Sequence, residues 1–216
     1  MLPEQFCVRM KEMLGEEYAA FYASYDLPKY QALRINPLKT ERDTFLLQAP
    51  FSLNRVPWTT NGYYYSGNDQ PGRHPYHEAG VYYIQEPSAM APAEYLMAEP
   101  GERILDLCAA PGGKSSQIAC SMQGEGLIVC NEIHPARAKI LSENIERMGV
   151  CNALVTNETP QKLSDNFREY FDRILVDAPC SGEGMFRKNE DACDEWSPEN
   201  VENCAARQAE ILDLSL

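Results

Sequence analysis

Four short apolar runs separated by helical patterns constrain this chain more than any other feature of it. They are RILDLC at 103–108, LIVCNE at 127–132, ALVT at 153–156 and RILVD at 173–177. Each is too short for a buried helix, so each is expected to be a strand. Helices are expected at 87–97, near 115–122 and at 134–148, the last with Pro135 in its first turn and Gly149 just past its end. A final helix starts at Ser197, a hydroxyl cap followed by Pro198. Along one face it carries Val201, Cys204, Ala205, Gln208, Ile211 and Leu212. Apolar strands that alternate with helices build a parallel sheet covered on both faces. Residues 81–216 are therefore expected to form an α/β domain.

The first eighty residues have another character. Leu2, Phe6, Met10, Met13, Leu14, Phe21 and Tyr22 recur at helical spacing around Pro3, so a helix is expected over 3–25. Residues 26–80 are rich in Pro, Gly, Asn and Tyr, with short extended runs such as 32–36. Residues 1–80 thus read as a small α+β accessory domain with much loop. An apolar content of 44% suffices for a sizeable core. No eighteen-residue apolar run suggests a membrane span, and the N-terminus lacks the apolar stretch of a signal peptide, so a cytoplasmic location is expected. None of the eight cysteines forms a closely spaced pair, which favours reduced thiols over a metal site.

In an open parallel sheet, ligands collect outside the carboxyl ends of the strands. Asp106 and the segment CAAPGGKS (108–115) fall there, after the first apolar run. Small residues and two glycines let the backbone approach a ligand closely. The loop is neither GxGxxG nor GxxxxGK[ST], which argues against a nicotinamide or flavin cofactor and against a phosphate loop. Glu132 closes the second run about twenty residues later, where an acid can accept hydrogen bonds from a ribose. Loop and acid together indicate a nucleotide-like ligand.

DLCAAPGGKS followed by NEI and then DAPCSGEG (177–184) resembles the motif series of the Nop/Sun group of RNA cytosine-5 methyltransferases. The string MFRKNEDACDEWSPENVENCAARQAEIL (185–212) is similar to the RsmF-like branch, which acts on bacterial 16S ribosomal RNA. RINPLK (34–39) and GVYYIQEPSAM (80–90) extend the likeness over nearly the whole chain. The resemblance implies a Rossmann-like S-adenosylmethionine-dependent methyltransferase sheet behind the accessory domain, with RNA, ribosomal RNA first, as partner. It implies that Cys108, Ala109, Ala110, Pro111, Gly112, Gly113 and Lys114 line the methionine and ribose of the cofactor. Glu132 would hold the ribose hydroxyls, Asp177 the methionine end, and Arg137 would join the pocket. Relatives carry an Asp near the adenine; Thr159 stands at that place here. Arg187 and Lys188 are implied as phosphate contacts, and Arg34, Asn36 and Lys39 as further RNA contacts.

The chemistry implied is methyl transfer to carbon 5 of cytosine. That carbon becomes nucleophilic only after a thiolate adds at carbon 6, a covalent activation. Asp177 would stabilise charge at the ring nitrogen. In the Nop/Sun group a Thr-Cys cysteine after the fifth strand is the nucleophile, and the Pro-Cys cysteine, Cys180 here, assists product release. No Thr-Cys pair occurs in the 216 residues, so the sheet is expected to lack its C-terminal strands and this chain alone to be inactive. The net charge of −13 is unusual for an RNA enzyme and suggests that much of the RNA affinity lies elsewhere. Two other readings compete: a DNA cytosine-5 methyltransferase with Cys180 as nucleophile, and a non-catalytic module that binds cofactor or RNA. Neither a metal nor a membrane partner is expected, and no oligomeric state is implied.

Overall fold

The computed structural model describes residues 2–189 and 191–216. Met1 and Glu190, the latter inside the RsmF-like string, lie outside them. In chain order the strands are β1 (Ala32–Ile35), β2 (Asn54–Arg55), β3 (Gly62–Tyr64), β4 (Tyr82–Ile84), β5 (Arg103–Asp106), β6 (Leu127–Asn131), β7 (Ala153–Thr156) and β8 (Arg173–Leu175). The helices are α1 (Glu4–Leu14), α2 (Tyr18–Ala23), α3 (Arg42–Gln48), α4 (Pro75–Glu78), α5 (Ala91–Leu96), α6 (Gly113–Met122), α7 (Pro135–Met148), α8 (Pro160–Asn166), α9 (Asp191–Glu195) and α10 (Pro198–Asp213). They fall into two compact units. The larger spans Tyr30–Asp177 with Ser215; the smaller runs up to Lys29 and resumes over Ala178–Leu214 with Leu216.

The larger unit holds two sheets. In one, β7, β6, β5 and β8 lie side by side in that order, every pair parallel. This is the α/β sheet that the apolar runs imply, with strand limits a residue or two inside those runs. Ile104, Ile128 and Val129 are fully buried, and the helices supply Ile118, Met122, Leu141 and Ile145 to the same core. The chain steps from β5 outward to β7 and then returns to pair β8 on the other side of β5. That reversal opens a crevice at the carboxyl end of β5.

The other sheet is antiparallel, in the order β2, β3, β1, β4. It contains more regular structure than the loop-rich reading of residues 26–80 allows. Its strands are only two to four residues long. Runs so short carry no periodicity, and long-range pairing alone makes them strands. All four residues of β1 are buried. Leu33 and Ile35 pack with Phe45, Tyr63 and Tyr82 on one side, while Ala32 packs with Val56 and Met90 on the other.

In the smaller unit, the helix expected over 3–25 is broken. Gly15, at φ +53°, caps α1 through its N–H to the Lys11 carbonyl, and a 3-10 turn over Gly15–Glu17 precedes α2. Phe6, Phe186 and Trp196 form the core of this unit; Phe6 meets Phe186 edge-on at 5.0 Å and Trp196 at 5.7 Å between ring centroids. Helix α10 begins as the sequence indicates, with Ser197 Oγ accepting from the Asn200 N–H at 3.1 Å. Its inward seam is the buried Cys204 and Ile211 with the half-buried Val201 and Gln208; Ala205 and Leu212 lie off it, exposed. Ser197→Ala is expected to lower stability by about 1 kcal/mol in a denaturant titration. An unchanged midpoint would mean that the cap contributes nothing. Among the described residues, no helix is long and apolar enough to cross a membrane.

Candidate functional site

The loop after β5 is stretched across the sheet by its own backbone. Leu107 N–H donates to the Leu175 carbonyl at 3.0 Å, and Ala109 N–H donates to the Asn131 carbonyl at 2.8 Å. The chain then turns at Gly112, at φ +107°, and enters α6 at Gly113. A Cβ on Gly112 would stand 3.1 Å from Leu141 Cδ1, and one on Gly113 would stand 3.2 Å from Tyr83 Cε1. Both glycines are thus needed for close packing, and Gly112 also for its backbone angle. Two residues of α7 hold the loop from the side: Arg137 Nη2 donates to the Ala110 carbonyl at 3.0 Å and Asn144 Nδ2 to the Pro111 carbonyl at 2.8 Å. Asn144 carries no sequence signal, because an exposed Asn on a helix resembles any other surface polar residue.

Carboxylates gather at the strand ends. Asp106 is 1% exposed; its Oδ2 accepts from Ser115 Oγ at 2.7 Å, and its Oδ1 has no partner among the described residues. Burial pushes this carboxyl up to about 6, and Asp177 adds to the rise. The Ser115 hydrogen bond and the Lys114 charge pull the other way. Glu132 is 3% exposed, with Oε1 accepting from His134 N–H at 2.9 Å and Oε2 lying 3.4 Å from Arg137 Nη1. Arg137 therefore links the acid to the loop. Lys114 Nζ reaches Asp177 Oδ2 at 2.5 Å. The Cys108 thiol is half-buried, and burial, with Asp106, Glu132 and Asp177 around it, raises it to about 11. A rise of this kind favours the protonated thiol at neutral pH.

Thr159 occupies a structural position. Its Oγ1 accepts from the Lys162 N–H at 3.3 Å and caps α8, a helix that the sequence reading did not anticipate. The Glu158 carboxylate pairs with Lys162 at 2.8 Å. Asn131 and Asn157, not singled out from the sequence, tie the ends of β6 and β7 together. Asn131 exchanges hydrogen bonds with the Glu158 backbone, and Asn157 Nδ2 donates to the carbonyls of Glu132 and Ile133.

The three RNA contacts expected in RINPLK, Arg34, Asn36 and Lys39, are engaged within the larger unit instead. Arg34 is 1% exposed and its guanidinium is engaged inside the larger unit, so it has no surface to offer a phosphate. Asn36 is fully buried as well. Lys39 is exposed along its stem, but its ammonium donates to the Ala79 and Arg147 carbonyls, both at 2.8 Å. Alternation along β1 turns Arg34 to the face away from Leu33 and Ile35, and α6 covers that face.

The smaller unit carries Cys180, which is exposed. Gln208 Nε2 donates to the Pro179 carbonyl at 2.9 Å on one side of it. On the other side, Gly182, at φ +82°, opens a 3-10 turn whose Glu183 Oε1 accepts from Arg9 Nη1 at 3.2 Å and Trp196 Nε1 at 3.0 Å. The cysteine thus projects from a segment pinned at both ends. Arg187 donates to the Leu27 carbonyl, and its Nε is buried without a hydrogen-bond partner among the described residues; Lys188 is exposed.

A parallel sheet with this strand order, a glycine turn after its central strand and an acid after the next defines the Rossmann-like fold of the S-adenosylmethionine-dependent methyltransferase class. A methyltransferase homolog protein from Pyrococcus horikoshii has the same fold, with a TM-score of 0.84 at 28% identity over 98% of this chain and 68% of that one. So does NSun6 from Pyrococcus horikoshii, solved with SFG, at a TM-score of 0.84 and 20% identity over 98% and 79%. The model of the family described as 16S rRNA methyltransferase RsmB/F matches residues 93–216, and that of the N-terminal domain of 16S rRNA methyltransferase RsmF matches residues 2–87. The chain belongs to the RsmB/F family. Ribosomal RNA small subunit methyltransferase F of Escherichia coli O157:H7 is 38% identical to it and that of Cronobacter sakazakii 40%, in each case over 98% of this chain and 46% of the relative. The chain thus spans about half the length of the curated relatives it matches.

Proposed function

We propose that this chain carries the cofactor-binding half of an enzyme that methylates carbon 5 of a cytosine in 16S ribosomal RNA. The observation that carries the reading is the buried Glu132, held by Arg137 beside a glycine loop that the same arginine pins. When bound, S-adenosylmethionine supplies a methyl group on a positively charged sulfur. The residues present fit that molecule. Its ribose needs a paired acceptor, and Glu132 is a rigid carboxylate. Its amino group needs an acid, and the exposed Asp177 carboxylate beside Lys114 can supply one. Its carboxylate needs donors, and Lys114 sits in the first turn of α6.

Cys180 is assigned to release of the methylated base, the part that the Pro-Cys cysteine takes in the Nop/Sun group. Exposure suits a thiol that must reach a substrate ring. Membership in an RNA methyltransferase family supports RNA over DNA as the substrate. Arg187 and Lys188 are assigned to the RNA phosphates by the same resemblance.

The test is calorimetric titration of the chain with S-adenosylhomocysteine, beside the Asp177→Ala variant. The unsubstituted chain is expected to bind. The variant is expected to bind at least about tenfold more weakly, as loss of one charge-assisted hydrogen bond implies. A folded chain that does not bind would remove the cofactor reading.

A further inference from the structure

One buried and heavily engaged charged side chain of the larger unit, Arg34, belongs to no proposed cofactor contact. Arg34 stands on β1 of the small antiparallel sheet, yet every one of its polar partners lies outside that strand. Nε donates to Gln85 Oε1 at 3.0 Å. Nη2 donates to the Gly113 carbonyl at 3.1 Å and to Ser116 Oγ at 2.7 Å, and Nη1 faces Cys120 Sγ at 3.7 Å. Gly113, Ser116 and Cys120 are successive positions along α6, the helix that begins at the cofactor loop. A buried guanidinium needs several well-placed acceptors to offset its lost hydration, and a planar fork fixes their directions. Such a side chain sets the position of whatever it binds.

The rest of the motif does the same for α7. Asn36 Nδ2 donates to the Gly80 and Met148 carbonyls, both at 2.8 Å, and the Lys39 ammonium takes the Arg147 carbonyl. Helix α7 in turn holds the loop through Arg137 in its first turn and Asn144 further along. Both helices that flank the loop are therefore referenced to a single buried strand.

We infer that Arg34 is a positioning residue for S-adenosylmethionine: it fixes Gly113 and the first turn of α6 where the cofactor loop must stand. This rests on the cofactor reading above and gives the RINPLK motif an intramolecular role in place of an RNA contact. Binding groups held by locked second contacts keep their geometry, and a displacement of even an ångström weakens the site.

The experiment measures S-adenosylhomocysteine affinity and amide hydrogen exchange over residues 112–116 in the 216-residue chain, in Arg34→Lys and in Leu33→Ala. Leu33 neighbours Arg34 on the opposite face of the same strand, so Leu33→Ala reports general loss of stability. At a temperature where all three are folded, Arg34→Lys is expected to raise Kd about tenfold and to speed exchange at 112–116, while Leu33→Ala does neither. Equal Kd values for Arg34→Lys and the unsubstituted chain would overturn the inference and leave the cofactor reading intact. A rise of the same size in Leu33→Ala would overturn it too, because the effect would then be loss of stability alone. If the unsubstituted chain does not bind, the cofactor reading fails and the inference with it. Should Arg34→Lys not fold, Ser116→Ala decides, since it removes one acceptor of the guanidinium. A rise of about threefold supports the role, and an unchanged Kd refutes it.

Discussion

Gly80→Ala is expected to cost this protein about 4 kcal/mol. Gly80 sits at φ +67°, where an alanine is strained by about 1 kcal/mol. Its new Cβ would also lie 2.0 Å from the Arg147 carbonyl oxygen and 2.9 Å from the carbonyl carbon. These are backbone atoms in the last turn of α7, so no rotamer change relieves the clash; overpacking of this kind costs roughly 1–3 kcal/mol. The displacement would also pull the Gly80 carbonyl from Asn36 Nδ2, a buried bond of 2.8 Å. For a chain of this length the melting temperature should fall by about 10 °C. Gly67→Ala serves as control: nothing lies within 4 Å of its built Cβ, and it should change stability by less than about 0.5 kcal/mol. A Gly80→Ala protein that melts within two or three degrees of the parent would contradict the close approach of this turn to α7.

Asp106→Asn should act in the opposite direction, and only above acid pH. The folded-state carboxyl of Asp106 stands at about 6 against an ordinary 3.8, chiefly because burial disfavours its charge. Between those values the folded protein holds a proton that the unfolded chain has released, so stability falls as pH rises. The favourable contribution is complete below about 4 and lost above about 6, a difference of roughly 3 kcal/mol. Asparagine keeps the shape and can still accept from Ser115 without bearing charge. The variant should therefore lack this slope and exceed the parent in stability at pH 8 by a similar amount. Carboxylates of the opposite kind do not mask the effect. Glu102 is held below its ordinary range by the Arg173 hydrogen bonds, and Asp172 by the Arg103 backbone N–H and guanidinium. Their contributions are lost as pH falls below the ordinary values of 4.5 for Glu102 and 3.8 for Asp172, so only Glu102 overlaps the acid end of the window in which Asp106 titrates. Denaturant midpoints for both proteins from pH 4 to pH 8 make the comparison. Parallel curves would mean that Asp106 is not buried as an isolated carboxyl. A stability cost of this kind persists in proteins where a site needs the acid, in keeping with its place at the end of β5.

Much of the larger sheet was legible in the sequence because the relevant forces are local or strictly periodic. RILDLC and LIVCNE are strands since short apolar runs between turns have few other ways to leave water. Pro135 and Gly149 bracket α7, and Ser197 starts α10, through backbone angles and caps that neighbouring residues determine. Glu132 and the glycine turn could be paired because the step from one strand end to the next has a nearly constant length in such sheets.

Other features depended on partners far along the chain. The strands Asn54–Arg55 and Gly62–Tyr64 are extended because β1 pairs beside them, and nothing in two or three residues announces it. Thr159 and Pro160 open a helix, but beside a cofactor motif the threonine read as a ligand contact. Arg34 is the sharpest case. A basic residue in a motif of an RNA enzyme reads as a surface contact, and alternation along β1 says only that it shares a face with Ala32. Whether that face meets water or α6 depends on where a helix about eighty residues later packs. Sequence alone determined the strands of the parallel sheet and the ends of α7 and α10, since backbone angles, caps and apolar periodicity act over a few residues. Only the tertiary structure decided which charged side chains are buried, because burial belongs to the element that covers them.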